Sequence, residues 1–312
     1  MKLNFSIIIP VFNRPNEIDE LLESLTQQDF QEDFEVIIVE DGSSHKSDEI
    51  VNNYSKLLNI CYFFKENSGA GNSRNFGMQQ ASGNYFIILD SDVILPNHYL
   101  SVVNNSLESD FTDAFGGPDA AHKSFTSLQK AINYSMTSFL TTGGIRGKKK
   151  SVGTFQPRSF NFGISKKAFE KTNGFSAMKI GEDIDLTMRL WQHDFKTQLI
   201  ENAFVYHKRK SSIRQFFNQT YQFGKTRPFL NQKYPKSAKL TYWFPSVFLI
   251  GFVIGILAAI IGFSQILGLY AIYFLLIFLE SSLQNKNLKV AFLTMITTFT
   301  QFLGYGLGFL KA

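Results

Sequence analysis

From Trp243 to Leu310 the only formal charges are Glu280, Lys286 and Lys289. Three apolar runs fill this stretch, Trp243–Phe263, Ile266–Leu283 and Val290–Leu310. Each is close to the ~20 residues with which a helix crosses a hydrocarbon core of ~30 Å. Helices buried in soluble proteins are usually shorter and carry a polar stripe, so three membrane spans are the expectation. Flanking charge orients them. Lys233, Lys236 and Lys239 precede the first run, Lys286 and Lys289 separate the second from the third, and the link at Ser264-Gln265 is uncharged. The positive-inside rule then makes the large N-terminal part cytoplasmic, and three spans leave Ala312 on the far side. The second run, with Glu280 near its end, is the weakest span. The start, Met1-Lys2-Leu3-Asn4-Phe5, leads straight into Ile7-Ile8-Ile9 and is too short in its apolar stretch for a secretory signal.

Composition narrows the chemistry. With 44% hydrophobic and 18% charged residues, the 312-residue chain is too apolar to be disordered. The single thiol, Cys61, cannot form an intramolecular disulfide, and no Cys/His cluster has zinc-site spacing. Chemistry here rests on oxygen and nitrogen groups. A net charge of +5 is far below the Lys/Arg density of a nucleic-acid binder, so a membrane explains the balance better and no nucleic-acid partner is expected.

Before the membrane region, apolar runs alternate with helical spacing. Residues 5–12 (FSIIIPVF) read as a strand, followed by a turn at Asn13-Arg14-Pro15 and a helix bearing Ile18, Leu21, Leu22 and Leu25. Phe34–Val39 reads as a second strand ending in Glu40-Asp41-Gly42-Ser43, with Ile50, Val51, Tyr54, Leu57 and Leu58 marking the next helix. A third strand at Ile60–Phe64 leads into a Gly-rich turn and a helix through Ala81, and Tyr85–Leu89 ends in Asp90-Ser91-Asp92. Near-continuous apolar strands separated by helices imply a mostly parallel sheet covered on both faces, whose ligands bind at the carboxyl ends of strands. Asp41, Asp90 and Asp92 lie at such ends.

Two carboxylates two residues apart suit Mg²⁺ or Mn²⁺ bridging a diphosphate, though paired aspartates also simply form turns. The loop Asn67-Ser68-Gly69-Ala70-Gly71-Asn72-Ser73-Arg74-Asn75 enters a helix whose amides and Arg74 face phosphate oxygens in one reading and form an ordinary turn in the other. Gly181-Glu182-Asp183-Ile184-Asp185-Leu186 opens a helix, and Asp185 reads as a complement to its dipole. The basic run Arg146 and Lys148–Lys150, beside Gly143, Gly144 and Gly147, reads as a solvated turn, with contact to the acceptor or to lipid headgroups as the second reading.

SIIIPVFNRP, VIIVEDGS, GAGNSRNFG, LDSDV and GEDIDL occur in an order and spacing that resembles the inverting family 2 glycosyltransferases of GT-A fold, over about residues 5–210. The resemblance implies an α/β, Rossmann-like GT-A domain at 1–230, a basic juxtamembrane linker at 231–242 and a membrane region at 243–312. By the same resemblance Pro10 and Asn13 border the donor nucleotide, Asp41 bonds its base or ribose, and Arg74 helps neutralise the diphosphate. Asp92 with Asp90 holds Mn²⁺ or Mg²⁺, His207 sits where relatives often have a histidine near the metal, and Asp183 matches the catalytic base, with Glu182 beside it. Arg158 and Asn161, in the stretch RSFNFG, fall on the acceptor side. One departure is informative. Processive synthases carry Gln-x-x-Arg-Trp before their spans, and Gln222-Phe223-Gly224-Lys225-Thr226-Arg227-Pro228 has no Trp, which puts processive synthesis in doubt.

The expected protein is thus a multi-pass enzyme of the cell membrane. It moves one sugar from a nucleotide-sugar, by default a UDP-sugar, to a hydroxyl of a lipid-linked or membrane-embedded acceptor in cell-envelope glycan or glycolipid synthesis, among membrane lipids. A polyprenyl-phosphate sugar synthase is the alternative within this chemistry, but its anionic acceptor needs no base. A membrane-tethered nucleotide-binding subunit without turnover is the non-enzyme alternative.

Overall fold

The first apolar run folds as β1 (Phe5–Val11), and the same strand-then-helix step repeats through α1 (Pro15–Thr26), β2 (Glu35–Asp41), α2 (Asp48–Tyr54) and β3 (Asn59–Lys65). It closes with α3 (Ala70–Gln80) and β4 (Tyr85–Leu89). Next come β5 (Val93–Ile94), α4 (Tyr99–Ser109), β6 (Ala114–Gly116), β7 (Asp119–Ala120), α5 (Ser127–Thr137) and α6 (Phe139–Thr142). The chain continues with β8 (Asn161–Ser165), α7 (Lys166–Thr172), α8 (Glu182–Gln192), β9 (Thr197–Leu199) and β10 (Val205–His207). It ends in α9 (Ile213–Lys233), α10 (Phe244–Ile260), α11 (Gln265–Asn285) and α12 (Leu288–Leu310). This computed structural model describes residues 2–143 and 155–312. The basic run Arg146 and Lys148–Lys150 lies outside the described residues. Two compact units result, Met1–Ala120 with Gly147–His207, and Ala121–Arg146 with Lys208–Ala312.

In the first unit seven strands form one sheet in the order β3-β2-β1-β4-β8-β6-β9. β3, β2, β1 and β4 are parallel neighbours, whereas β8 runs antiparallel to both β4 and β6. The β1 run is apolar at nearly every position because helices cover both faces. Ile7, Ile9 and Val11 pack with Ile18, Leu21, Leu22 and Leu25 of α1, and Ile8 packs on the other face with Ile37, Val39 and Met78. A short second sheet, β5-β10-β7, brings the segment after β4 beside His207, with Val93 paired to His207. At the carboxyl edge Gly42 has φ of 74°, and a Cβ there would lie 2.7 Å from the Asn67 amide nitrogen. Only glycine lets the β2–α2 turn approach that loop.

In the second unit, three helical segments are long and apolar enough to cross a membrane: Leu240–Ile260, Gln265–Asn285 and Leu288–Leu310. α10 and α11 pack as an antiparallel pair, with the Tyr270 hydroxyl donating to the Phe248 carbonyl at 2.6 Å. α12 packs against both of them and also against α5 and α9. Its contact with α5 is polar: Ser135 Oγ lies 2.7 Å from Thr297 Oγ1, which also donates to the Ala131 carbonyl.

Candidate active site

The carboxyl ends of β1, β2 and β4 are laced together by side chains. Asn13, in the left-handed region at φ 53°, accepts at Oδ1 from the Ser44 and His45 amides at 2.9 and 3.0 Å, and its own amide donates to Ser43 Oγ. Asn tolerates this backbone and replaces missing strand partners with its amide oxygen. Pro10, partly exposed near the end of β1, pairs with Val39. Asp41 holds the loop before α3. Its two oxygens accept the Ser68 and Gly69 amides, each at 2.9 Å, and Lys65 forms an ion pair with it. Burial pushes this carboxyl upward, but Lys65 and the Ser68 amide outweigh burial and hold it below its ordinary value.

Among the described residues, Asp90, Asp92 and His207 form a three-residue group whose ligand atoms all lie within 4.8 Å of one another. His207 Nε2 is 3.2 Å from Asp92 Oδ1, and that buried oxygen accepts no well-formed hydrogen bond. This spacing is close to the roughly 3 Å that separates adjacent ligands of an ion bound at about 2.1 Å. A buried oxygen without a donor, facing an imidazole nitrogen and a second carboxylate, therefore fits a divalent cation. The His207 ring is stacked on Phe160, 4.7 Å between centroids, and its Nδ1 is 4.0 Å from Asp119 Oδ2. Burial raises the Asp92 carboxyl, yet His207 and Arg14 more than compensate and hold it well below the usual carboxylate range.

Arg74 connects this group to α8. Its guanidinium is almost fully buried, donates to Asp90 Oδ1 at 2.7 Å and Glu182 Oε1 at 2.9 Å, and lies over the Phe175 ring. The first turn of α8 thus faces the same centre as β4. Glu182 is pushed above its ordinary value, first by burial and then by the neighbouring Asp183 charge, against the pull of Arg74. Asp183 accepts its own helix amide, Ile184 N, at 2.8 Å through Oδ1. Its Oδ2 faces Ser159 N at 3.4 Å and Arg158 Nη1 at 3.8 Å. Asp185 is wholly buried and anchors Arg189, which ties down the Thr172 and Gly174 carbonyls.

Asp90, Asp92, His207, Arg74, Glu182, Asp183 and Arg158 are therefore linked by direct contacts, whereas Asn13 and Asp41 belong to the neighbouring β1 and β2 ends. Asn161 lies beside the site, its backbone paired with Leu89 and bridged to Arg158, but its side chain is engaged in the core. It is fully buried in β8, accepting the Tyr99 hydroxyl at 2.6 Å and donating to the Ala203 carbonyl at 2.8 Å, so its amide is committed to the core. Three partners escape sequence reading: Arg14, which forms an ion pair with Asp92; Lys65, on Asp41; and Asp119, behind His207. Arg14 had a usable signal. It follows β1, and placing β1 beside β4 in a parallel sheet brings the two carboxyl ends together.

The sequence profile described as Glycosyl transferase family 2 matches residues 6–172, more than half of the chain. The chain belongs to glycosyltransferase family 2. An uncharacterized glycosyltransferase of Rickettsia typhi is 39% identical over 103 residues, 32% of this chain and 31% of that protein. Matches to the Rickettsia relatives thus span about a third or less of their length. A longer match joins this family member to the GalNAc(5)-diNAcBac-PP-undecaprenol beta-1,3-glucosyltransferase of Campylobacter jejuni, 27% identical over 232 residues, 71% of this chain and 68% of that one. Among solved structures, Staphylococcus aureus TarS 1–349 with UDP-GlcNAc superposes at a TM-score of 0.52 and 21% identity, covering 71% of this chain and 66% of that one. The mannosyltransferase PcManGT of Pyrobaculum calidifontis, with GDP-Man and Mn²⁺, superposes at 0.64 and 14% identity, covering 97% and 88%. At these identities the likeness establishes the GT-A-like fold.

Proposed function

We propose that this family 2 member is an inverting, membrane-anchored glycosyltransferase. It moves one sugar from a nucleoside-diphosphate sugar, UDP by default, to a hydroxyl of a lipid-linked or membrane-embedded acceptor, with its catalytic unit in the cytoplasm. The observation that carries this reading is Arg74, which binds Asp90 and Glu182 at once and so couples the cation group to the first turn of α8. Asp90, Asp92 and His207 would hold Mn²⁺ or Mg²⁺, and the imidazole favours Mn²⁺ of the two. The ion, when bound, neutralises charge developing on the departing diphosphate. Asp183 takes the proton of the acceptor hydroxyl, and the Glu182–Arg74 pair holds that turn in place. Arg158, within 4 Å of Asp183, orients it on the acceptor side. The named functions of the Campylobacter and Staphylococcus relatives, which transfer a sugar to an undecaprenol-linked or a poly(ribitol-phosphate) acceptor, support an envelope glycan or lipid-linked acceptor here.

The test is a panel of UDP- and GDP-sugars offered to the purified full chain with membrane lipid extract. Mn²⁺-dependent release of nucleoside diphosphate from at least one donor, abolished by a chelator, is expected. Metal-independent release, or none from any donor, overturns the reading.

A further inference from the structure

Length and apolarity admit three membrane helices, but the contacts within the second unit distinguish them. α10 and α11 form an antiparallel hairpin: Phe248 meets Tyr270, Tyr273 and Phe274, and a Cβ on Gly255 would reach Ile266 and Leu267. A third span of an up-down-up bundle runs antiparallel to α11 and parallel to α10. α12 does not. Against α11 it pairs Thr294 with Ser281 and Phe299 with Phe274. Against α10 it pairs Phe299 with Phe252, Phe302 with Phe248, Gly306 with Pro245 and Phe309 with Trp243. It is antiparallel to both, which a helix achieves only by crossing them.

Ser281 and Trp243 both lie at the open end of the hairpin, far from its tip at Ile260–Gln265. Between its contacts with them, from Thr294 to Phe309, α12 advances about 22 Å at ~1.5 Å per residue, yet its deepest contacts, Phe299 with Phe252 and Phe274, reach only about halfway to the tip. The covering of α12 agrees. Half of its apolar window is buried, against 22% and 11% for the other two candidates. Its outer side is occupied by α5 and by α9, which run along it. Gly304 and Gly308 lie so close to α9 that a Cβ on either would strike Thr220 or the Tyr221 carbonyl, and Gly224 meets Tyr305 in the same way. α9 carries Arg214, Lys225, Arg227 and Lys233, and a crossing α12 would carry these charges into hydrocarbon with it. The tip, by contrast, presents Leu257, Ile260, Ile261, Phe263 and Leu269 outward.

We propose that the chain crosses the bilayer twice, through the α10–α11 hairpin, and that α12 lies along the membrane face across the base of that hairpin, held under α5 and α9. Lysines 233, 236, 239, 286, 289 and 311 then all fall on one side, the hairpin link has no charge, and Ala312 returns to the side from which α10 departs. This rests on membrane anchoring but not on the transferase chemistry. The test replaces the exposed native thiol, Cys61→Ser, and adds Lys236→Cys, Ser264→Cys or Lys311→Cys singly to the full chain. Each variant is labelled with an impermeant maleimide in sealed vesicles of both orientations. Lys236→Cys and Lys311→Cys are expected to label in the same vesicles and Ser264→Cys in the opposite ones. Labelling of Lys311→Cys together with Ser264→Cys overturns the proposal in favour of three crossings. Labelling of all three from one side overturns the crossing of the hairpin. Metal-dependent nucleotide release by the same membranes reports on the transferase reading separately.

Discussion

The carboxyl edge of the sheet and the packing of α12 bury polar groups in opposite ways. At the carboxyl edge of the sheet, Arg14, Arg74, Asp90, Asp92, Glu182 and His207 are largely withdrawn from water and are held by charge against charge. Under α12 the withdrawn polar groups are uncharged hydroxyls, Ser135, Ser281, Thr294 and Thr297, each hydrogen-bonded to a neighbouring helix. Removing one partner of a buried charge pair leaves the other uncompensated, so the first region is fragile in function. In the second region backbones touch at glycines, so it is fragile to added volume. Substitutions in the first region are expected to change rate and metal affinity beyond what their cost in stability explains, and those in the second to change stability with metal affinity intact.

The largest expected effect is that of Asp92→Asn. The amide oxygen is a poorer metal ligand, and the change leaves Arg14 facing a neutral group. Turnover should fall by about 10³-fold or more and Mn²⁺ binding, followed by calorimetry, should be lost, in a chain that still folds but with a lowered thermal midpoint. Wild-type-like activity at limiting Mn²⁺ would remove Asp92 from the site. Arg74→Met comes next. It severs the link between Asp90 and Glu182 and removes the cation that holds Asp90 in the metal group, so transfer should fall roughly 10²-fold. If only stability changes and the rate per folded molecule does not, Arg74 is a core cation and not a positioning residue.

Gly308→Leu tests the other region. Its side chain would run into the Tyr221 carbonyl, and a loss of roughly 1–3 kcal/mol in unfolding stability is expected with unaltered Mn²⁺ affinity. Asn161→Ala is the smallest. It strips partners from the Tyr99 hydroxyl and the Ala203 carbonyl and should lower stability by about 1–2 kcal/mol. A specific loss of acceptor use, with stability preserved, would instead return Asn161 to the acceptor side.

The same contrast explains what was legible in the chain. β1 to β4 stand out because each is a short, nearly unbroken apolar run closed by turn residues, and the aspartates fall at their ends. α5 and α9 do show apolar residues at helical spacing, Leu128, Ile132 and Met136 on one and Phe216 and Phe223 on the other, but the positions that seat α12, Ala131, Ser135, Thr220 and Gly224, make contact through smallness and hydroxyls that periodicity does not register. α12 is long and apolar enough to span, and length and hydropathy do not register the helices packed beside it. At the site, the acidic motifs were legible one by one, but Arg14 with Asp92 and Arg74 with Glu182 are joined only by strand order. They are separated by 78 and 108 residues.

The measurement that bears most directly on the proposed chemistry is made on Asp183→Asn. A base acts only on the reacting hydroxyl, so donor and Mn²⁺ should bind with near-normal affinity while transfer falls by roughly 10²–10⁴-fold, the usual worth of general-base catalysis. If Asp183 served only the helix terminus, where its Oδ1 accepts the Ile184 amide, Asn would replace it with little change, because the two residues cap helices about equally well. Transfer rate and donor affinity measured side by side on this variant separate the two roles. A large drop in rate at unchanged donor affinity is the expected result, and a rate within a few-fold of the parent would contradict the account and point to an acceptor that arrives already ionised.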